Sequence, residues 1–383
     1  MSPGAKETMR RAEWWLAALG FLLSALWAFR VPVPLGANSV RYQNYFPDEA
    51  NHIAVVRYIA TQKSLPPYNF EFYESAHPPL YHIGASVVWG LARPLLGESG
   101  AVRTLRLITA LLGGWLVLLI FHGIRRASTY RVALLAAALA ALLPGRAFLF
   151  GSVTNEALAT LAGAGVFAAL AHRKRLSLFL WSLIAAGTKL TGLTWVAGAV
   201  VLGIPMGGTV LLGALVALSP WALRNMLLYR DPLLIRLSEA IWSQEIPGLQ
   251  GWQAKGGGAP GYFWLVARRG FESFIGVFDG MGRFLPGIAY LGTLSLPIYA
   301  LTRRLRLRRV RRRQLAMAGA LAFAGGLFIF FSYNLRHFSP QGRFLYGALA
   351  PLLWWLAESC PARLRLLPPL WLGFWSLWAL WTM

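Results

Sequence analysis

The chain is poor in cysteine, in acids and in charge of any kind. Its 383 residues hold one cysteine, Cys360, so no internal disulfide can form, and no cysteine spacing suits a metal. Asp and Glu number 14 against 37 Lys and Arg, and only 13% of residues are charged, about half the share usual in a soluble domain. No period of 20–50 residues recurs and no low-complexity tail is present, which sets aside solenoids and disordered arrays. What fills the chain instead is apolar: 57% hydrophobic residues, with 17 Trp and 13 Tyr. A soluble core of this size cannot bury so much apolar surface, whereas a bilayer takes it up as spanning segments. The Trp and Tyr suit aromatic belts at the membrane–water interfaces. A net charge of +23 would by itself suit nucleic acid. Here the basic residues lie beside apolar runs, so anionic membrane lipids are the expected partner and nucleic acid is not.

Apolar stretches long enough to span fall at 14–30, 105–124, 132–150, 157–171, 314–333, 343–357 and 366–382, with two more near 208–225 and 286–302. The stretch 176–204 is too long for one span and is interrupted by Thr188-Lys189-Leu190-Thr191-Gly192. It reads as two short helices meeting at a turn that carries Lys189. The first segment follows Lys6, Arg10 and Arg11 like a signal peptide. No A-x-A-like site follows it, however, and Arg30, Pro32 and Pro34 stand where cleavage would occur, so retention is expected.

Topology turns on 77–96, which is apolar but carries Pro79, His82, Ser86, Arg93 and Pro94. Laid flat on the surface, it lets the short basic loops share one side: Arg125 to Arg131, Arg173 to Arg175, Arg303 to Arg313, and Arg363 with Arg365. The opposite side then receives most carboxylates, from Asp48 and Glu49 to Glu272 and Asp279. Letting 77–96 span breaks the rule twice. An interfacial helix is the economical reading. The result is an all-α polytopic membrane protein of about eleven spans with a cytoplasmic amino terminus. Its long outer regions lie at 31–104 and roughly 226–285, the second holding Gly256-Gly257-Gly258, a hinge or lid candidate.

The first outer region carries the chemistry. It reads Asn44-Tyr45-Phe46-Pro47-Asp48-Glu49-Ala50-Asn51-His52, then an amphipathic stretch, then Glu74-Ser75-Ala76-His77-Pro78-Pro79-Leu80-Tyr81. Pro47 can precede a helix, placing Asp48 and Glu49 in its first turn with His52 on the face of Asp48. Carboxylates at such an interface suit proton abstraction from a hydroxyl. The plain alternative is a pair of acids complementing a helix dipole, and Glu156, before the span at Ala157, has the same capping alternative. Lys189 at its turn needs water or an anion. Arg224 and Arg343 end and open spans, as snorkelling residues also do. Taken together these groups describe a pocket with carboxylates on one wall and cations on another, as transfer from an anionic lipid donor requires. Asp48, His52, Glu74 and His77 have ligand types that suit a divalent ion such as zinc, although their spacing fits no defined motif.

Pro47-Asp48-Glu49 and Glu74-x-x-His77-Pro78-Pro79-Leu80-Tyr81 resemble the first periplasmic loop of family-C glycosyltransferases. The similar groups are the bacterial relatives of protein O-mannosyltransferases and of the lipid A aminoarabinose transferase. Ser152–Ala157, Thr188-Lys189, Arg224-Asn225 with Asp231-Pro232, Phe274–Phe278 and Gln341–Phe344 resemble later family segments in the right order. The resemblance implies a first loop with two surface helices, a sugar on a polyprenyl phosphate as donor, and a hydroxyl acceptor attacked with inversion at the outer face of the inner membrane. It implies a conserved module over 1–228, a second outer loop over 229–285, and C-terminal helices over 286–383. Asp48 matches the catalytic carboxylate with Glu49 beside it, and Lys189 a phosphate contact. His77 stands where some relatives have lysine, and Glu156 where the family has Asp. The candidate site is thus Asp48 and Glu49, with His52, Glu74, His77, Tyr81, Glu156, Lys189, Arg224 and Arg343 around the substrates. Two other classes stay open: a non-catalytic binder or transporter of lipid-linked saccharides, and a structural subunit with a decayed pocket.

Overall fold

The computed structural model describes residues 3–34, 46, 48–199, 201–302 and 310–382. Asn44, Tyr45 and Pro47, and the arginines from 303 to 309 placed above among the short basic loops, lie outside the described residues. The elements run α1 (Pro3–Arg30), α2 (Glu49–Gln62), a 3-10 turn (Tyr73–Ala76), α3 (Leu80–Ala127), α4 (Tyr130–Leu142), α5 (Pro144–Leu149) and α6 (Asn155–His172). There follow α7 (Arg175–Thr188), a 3-10 turn (Leu190–Leu193), α8 (Thr194–Ala199), α9 (Ile204–Tyr229), α10 (Ile235–Glu245), α11 (Leu249–Ala254) and α12 (Ala259–Gly276). A small antiparallel hairpin, β1 (Val277–Phe278) with β2 (Arg283–Phe284), precedes α13 (Gly287–Leu301) and α14 (Val310–Arg336). A 3-10 turn (Gly342–Ala348), α15 (Leu349–Ser359) and α16 (Leu367–Thr382) close the order.

The chain is an integral membrane protein built almost wholly of helix. Among the described residues, four helical segments are long and apolar enough to cross unaided: Arg11–Arg30, Leu80–Ala127, Pro205–Tyr229 and Arg312–Arg336. Several of the expected spans are interrupted among the described residues. The stretch 132–150 breaks between Leu142 and Pro144. Proline lacks the N–H for the helical ladder, so it starts a new helix, α5, at its first turn. The stretch 343–357 begins as a 3-10 turn and becomes α-helical only at Leu349. The break at Lys189 is found as expected, with Lys189 in extended backbone between α7 and the following turn.

α3 is 48 residues long with a non-helical Gly97 inside it, at φ 69° and ψ −176°. A straight helix of that length would reach about 72 Å, more than twice a hydrocarbon core of about 30 Å, so one crossing cannot use it all. Glycine is the residue that allows this left-handed break, and it falls at the end of the segment expected to lie flat. Before the break, Ile83, Val87, Leu91 and Leu95 recur every fourth position and are exposed, while Tyr81, Ala85, Trp89 and Ala92 pack on Ile53 and Val56 of α2. That leaves an exposed apolar stripe and a protein-facing stripe, as a surface helix needs. Arg57 of α2 pairs with Glu98 just past the break.

The main core lies where α1, the second part of α3, and α4 to α6 meet, around Trp27, Leu116, Ile120, Phe150 and Phe167. Trp27 stacks on Phe278 at 5.2 Å between ring centroids, joining the hairpin to α1. At the basic end of the molecule, Glu358 takes Arg312 at 3.0 Å and accepts from Ser128. The expected sidedness has a direct check. On a Cys360→Ser background, single cysteines at Glu98 and Gly257 should react with an impermeant thiol reagent from the periplasmic face, and one at Arg173 only after the membrane is opened. Labelling of Glu98 from the cytoplasmic face would mean that the first part of α3 spans.

Candidate active site

Asp48 stands just before α2 in the left-handed region, φ 65°, and its side chain makes no capping bond to that helix. Asp tolerates this conformation better than most residues. The carboxylate is directed elsewhere: Oδ1 accepts from the Tyr73 hydroxyl at 2.9 Å, and Oδ2 accepts from Nη2 of Arg343. Nε of Arg343 lies 3.0 Å from Oε2 of Glu156, whose other oxygen takes the Lys189 ammonium. Asp48, Arg343, Glu156 and Lys189 therefore form one line of alternating charge, drawn from positions before α2, after α14, at α6 and after α7. The capping of α6 falls to Thr154, which accepts from the Glu156 N–H at 3.3 Å. Capping thus explains neither acid.

Each break in the spans positions one of these groups. The extended backbone at Lys189 turns its ammonium towards Glu156, with the Phe344 ring 5.2 Å away. Arg343 rides on a turn that docks tightly on α12. A Cβ at Gly342 would sit 2.1 Å from the carbonyl oxygen of Gly270, so only glycine fits there. Ser273 accepts from the Gly342 N–H at 2.5 Å, and Tyr346 donates to the carbonyl of Phe274 at 2.7 Å. The region expected as a second outer loop is therefore helical at α12 and braces Arg343.

Glu49 points away from this line. Arg106 grips it with two bonds, Nε to Oε1 at 2.9 Å and Nη2 to Oε2 at 2.6 Å, and the Val153 N–H adds a third at 2.8 Å. Arg106 also donates to the carbonyls of Ala28, Val31 and Pro32 and stacks on Phe46. Both charges are fully buried. Glu49 thus fastens the start of α2 to α1 and α3, leaving Asp48 as the acid with a free approach.

The other expected residues gather beside Asp48. Nδ1 of His52 faces Nε2 of His82 at 3.0 Å, and Nε2 of His52 lies 3.4 Å from both Oε2 of Glu74 and Oγ1 of Thr154. His77 approaches Glu74 at 3.6 Å. Tyr81 packs edge-on against His52 and is buried. Arg224 donates to the carbonyls of Leu65 and Pro66, tying the segment after α2 to α9. The expected metal-type set splits: Asp48 stays with Arg343, while His52 and Glu74 join His82. Two crevices reach the cluster. One ends at Arg343 among Phe46, Phe148, Gln341 and Tyr346. The other is lined by His77, His82, Ser75, Trp221 and Arg224.

Burial alone would raise the Asp48 carboxyl, but Arg343, aided by Tyr73, outweighs it and holds the carboxyl below its ordinary value. Burial, with the Asp48 charge adding to it, pushes Glu74 up to about 8. Burial also holds His52 and His77 well below the usual imidazole value, so both are neutral at pH 7.

No protein-family model and no curated protein matches the chain. Solved structures do match. ArnT from Cupriavidus metallidurans bound to undecaprenyl phosphate superposes with a TM-score of 0.57 at 13% identity, over 90% of this chain and 60% of that one. The fold is that of the family-C glycosyltransferases. The Archaeoglobus fulgidus oligosaccharyltransferase tethered to an acceptor peptide gives a TM-score of 0.50 at 15% identity, over 90% of this chain and 49% of its own. The chain spans about 60% of the length of the first neighbour and about half that of the second.

Three residues of the site had no place in the sequence reading. Arg106 sits inside the apolar stretch 105–124, and a lone cation at such a position is a usable signal. His82 follows the Pro78-Pro79 start of α3 and was read only as unfavourable to a span. Tyr73 carries no local signal, because only the fold brings it to Asp48.

Proposed function

We propose that the chain is a glycosyltransferase that moves a sugar from a polyprenyl-phosphate donor to a hydroxyl acceptor at the outer, periplasmic face of the membrane. The observation that carries this reading is Asp48, a carboxylate withheld from its own helix and set against a cation that a phosphate can also use. In the ion-paired state Asp48 is a weak base. A donor phosphate arriving at Arg343 and Lys189 competes with Asp48 and Glu156 for those cations. Asp48 then loses its strongest partner and gains basicity at the moment a proton must leave the acceptor. The acceptor oxygen attacks the anomeric carbon from the face opposite the phosphate, and the bond from that carbon to the phosphate oxygen breaks. Asp48 takes the hydroxyl proton, while Arg343 and Lys189 stabilise the departing polyprenyl phosphate. The crevice ending at Arg343 has the mostly apolar lining that the first isoprene units would require.

The deciding experiment incubates the purified chain with a panel of polyprenyl-phosphate sugars and follows donor loss and release of polyprenyl phosphate. Consumption of no donor, with protein that binds none of them, would end the proposal. A narrower check concerns Lys189. Lys189→Gln should keep the fold and lower donor affinity about tenfold or more, the usual worth of a hydrogen bond to a charged group. Unchanged affinity by titration would make Lys189 only the partner of Glu156.

A further inference from the structure

We propose that Met281, at the tip of the β1–β2 hairpin, selects the donor lipid by the shape of its first isoprene unit. Between Phe278 and Arg283 the chain turns through Asp279, Gly280, Met281 and Gly282. Three of these four stand in the left-handed region: Asp279 at φ 52°, Gly280 at φ 61° and Met281 at φ 72°. Glycine enters that region freely and aspartate tolerates it, whereas methionine is strained there. Glycine stands on both sides of Met281 but not at it, so the turn keeps a side chain where the backbone alone favours none. Such strain persists only where the surroundings fix it, and here they do. Val277 pairs with Phe284, and Phe278 with Arg283. The Phe278 ring stacks on Trp27 at 5.2 Å and meets Phe148 edge-on at 5.0 Å between centroids. Asp279 takes Arg283 at 3.3 Å across the tip, and at the base the Tyr290 hydroxyl donates to the carbonyl of Gly276 at 2.7 Å.

The side chain so held lines the crevice that ends at Arg343, together with Phe46, Phe148 and Tyr346. The inference rests on the transfer reading, which brings the donor phosphate to Arg343. The carbon chain bonded to that phosphate then leaves through this crevice. Its first unit is the part of the lipid whose place the phosphate fixes, because only a few bonds separate them. In an unsaturated polyprenyl phosphate that unit is flat about its double bond. Saturation makes it a puckered, branched segment of greater thickness. Aromatic rings and a polarisable thioether pack closely on a flat unsaturated group. A loose loop would yield to either shape, but a turn tied at its tip and its base holds Met281 at one distance from the rings opposite.

The test titrates the full chain in detergent with two sugar-free lipids of equal length, a polyprenyl phosphate and its analogue saturated only in the first isoprene unit. Wild type should bind the unsaturated lipid about tenfold tighter, the discrimination an apolar pocket gives for one small change of ligand shape. Met281→Ala should reduce that ratio to about threefold or less, chiefly by weakening the unsaturated lipid. Arg343→Gln should weaken both lipids alike and keep the ratio. Met281→Gly carries the test if the alanine variant folds poorly, since glycine is unstrained at that φ. It should lose the ratio as alanine does and melt at least as high as Met281→Ala. Equal binding of the two lipids by wild type would overturn the proposal, as would a ratio that Met281→Ala and Met281→Gly leave intact. Either result, with sugar donors still consumed, rejects the role of Met281 and spares the transfer reading. A chain that shows the Met281-dependent ratio but consumes no donor keeps the selective crevice and loses the transfer. Binding of neither lipid removes both.

Discussion

Turnover by Asp48→Asn should fall by roughly a hundredfold or more, the usual size of a general-base effect, while the protein expresses and melts as wild type does. Asparagine keeps the side-chain shape and can still accept from Tyr73. It also removes the anion that competes for Arg343, so donor binding should be retained or become tighter. That separation of binding from turnover distinguishes a base from a structural acid, whose loss would weaken both. Measuring donor affinity by titration and donor consumption by chromatography on the same preparation reads the two apart. Full turnover by Asp48→Asn would remove the base from the proposed mechanism. Glu49→Gln should act differently, lowering the amount of folded protein more than the turnover of what folds.

Arg106→Met is expected to cost about 3–5 kcal/mol of stability, the range seen when one partner of a buried ion pair is removed. The substitution leaves Glu49 charged and enclosed, and frees three carbonyls at the end of α1. A second change, Glu49→Met, should restore much of the loss, because two apolar side chains need no mutual compensation. The midpoint of thermal unfolding in detergent, read for the wild type, both single variants and the double variant, gives the coupling directly. An Arg106→Met protein that melts with wild type would mean that the pair is not a fastening.

The broad architecture was legible because its causes are local and repetitive. Apolar runs bounded by arginines locate the spans, and a lysine inside a 29-residue apolar stretch, from 176 to 204, marks the break between α7 and the following turn. A flat start to α3 is the expectation that charge placement gives, and Gly97 with the exposed stripe of Ile83, Val87, Leu91 and Leu95 is the pattern such a placement requires. Pro144 stands inside the apolar run 132–150, where a proline can either kink a helix or end it, and α4 ends before it. In the site, the sequence placed Asp48, Glu156, Lys189 and Arg343 in one pocket with acids on one wall and cations on another, whereas the charges alternate. It could not pair them, because the pairing is tertiary: Asp48 and Arg343 are 295 positions apart, and Glu156 and Lys189 are 33 apart. Nor could it divide the Asp48-Glu49 pair. Neighbouring residues at a helix start point in different directions, and which one meets the buried Arg106 depends on how α3 packs.

The separation of 295 positions between Asp48 and Arg343 also sets a timetable. At about 5–20 residues per second, a ribosome needs roughly 15 to 60 s to travel from one codon to the other. Within that interval Asp48, Glu156 and Lys189 are made in turn and leave the ribosome, while the guanidinium that links the two acids does not yet exist. A nascent chain in the membrane is therefore unarmed until its last segments insert, and a product truncated before the Gly342 turn would carry the acids but never assemble them.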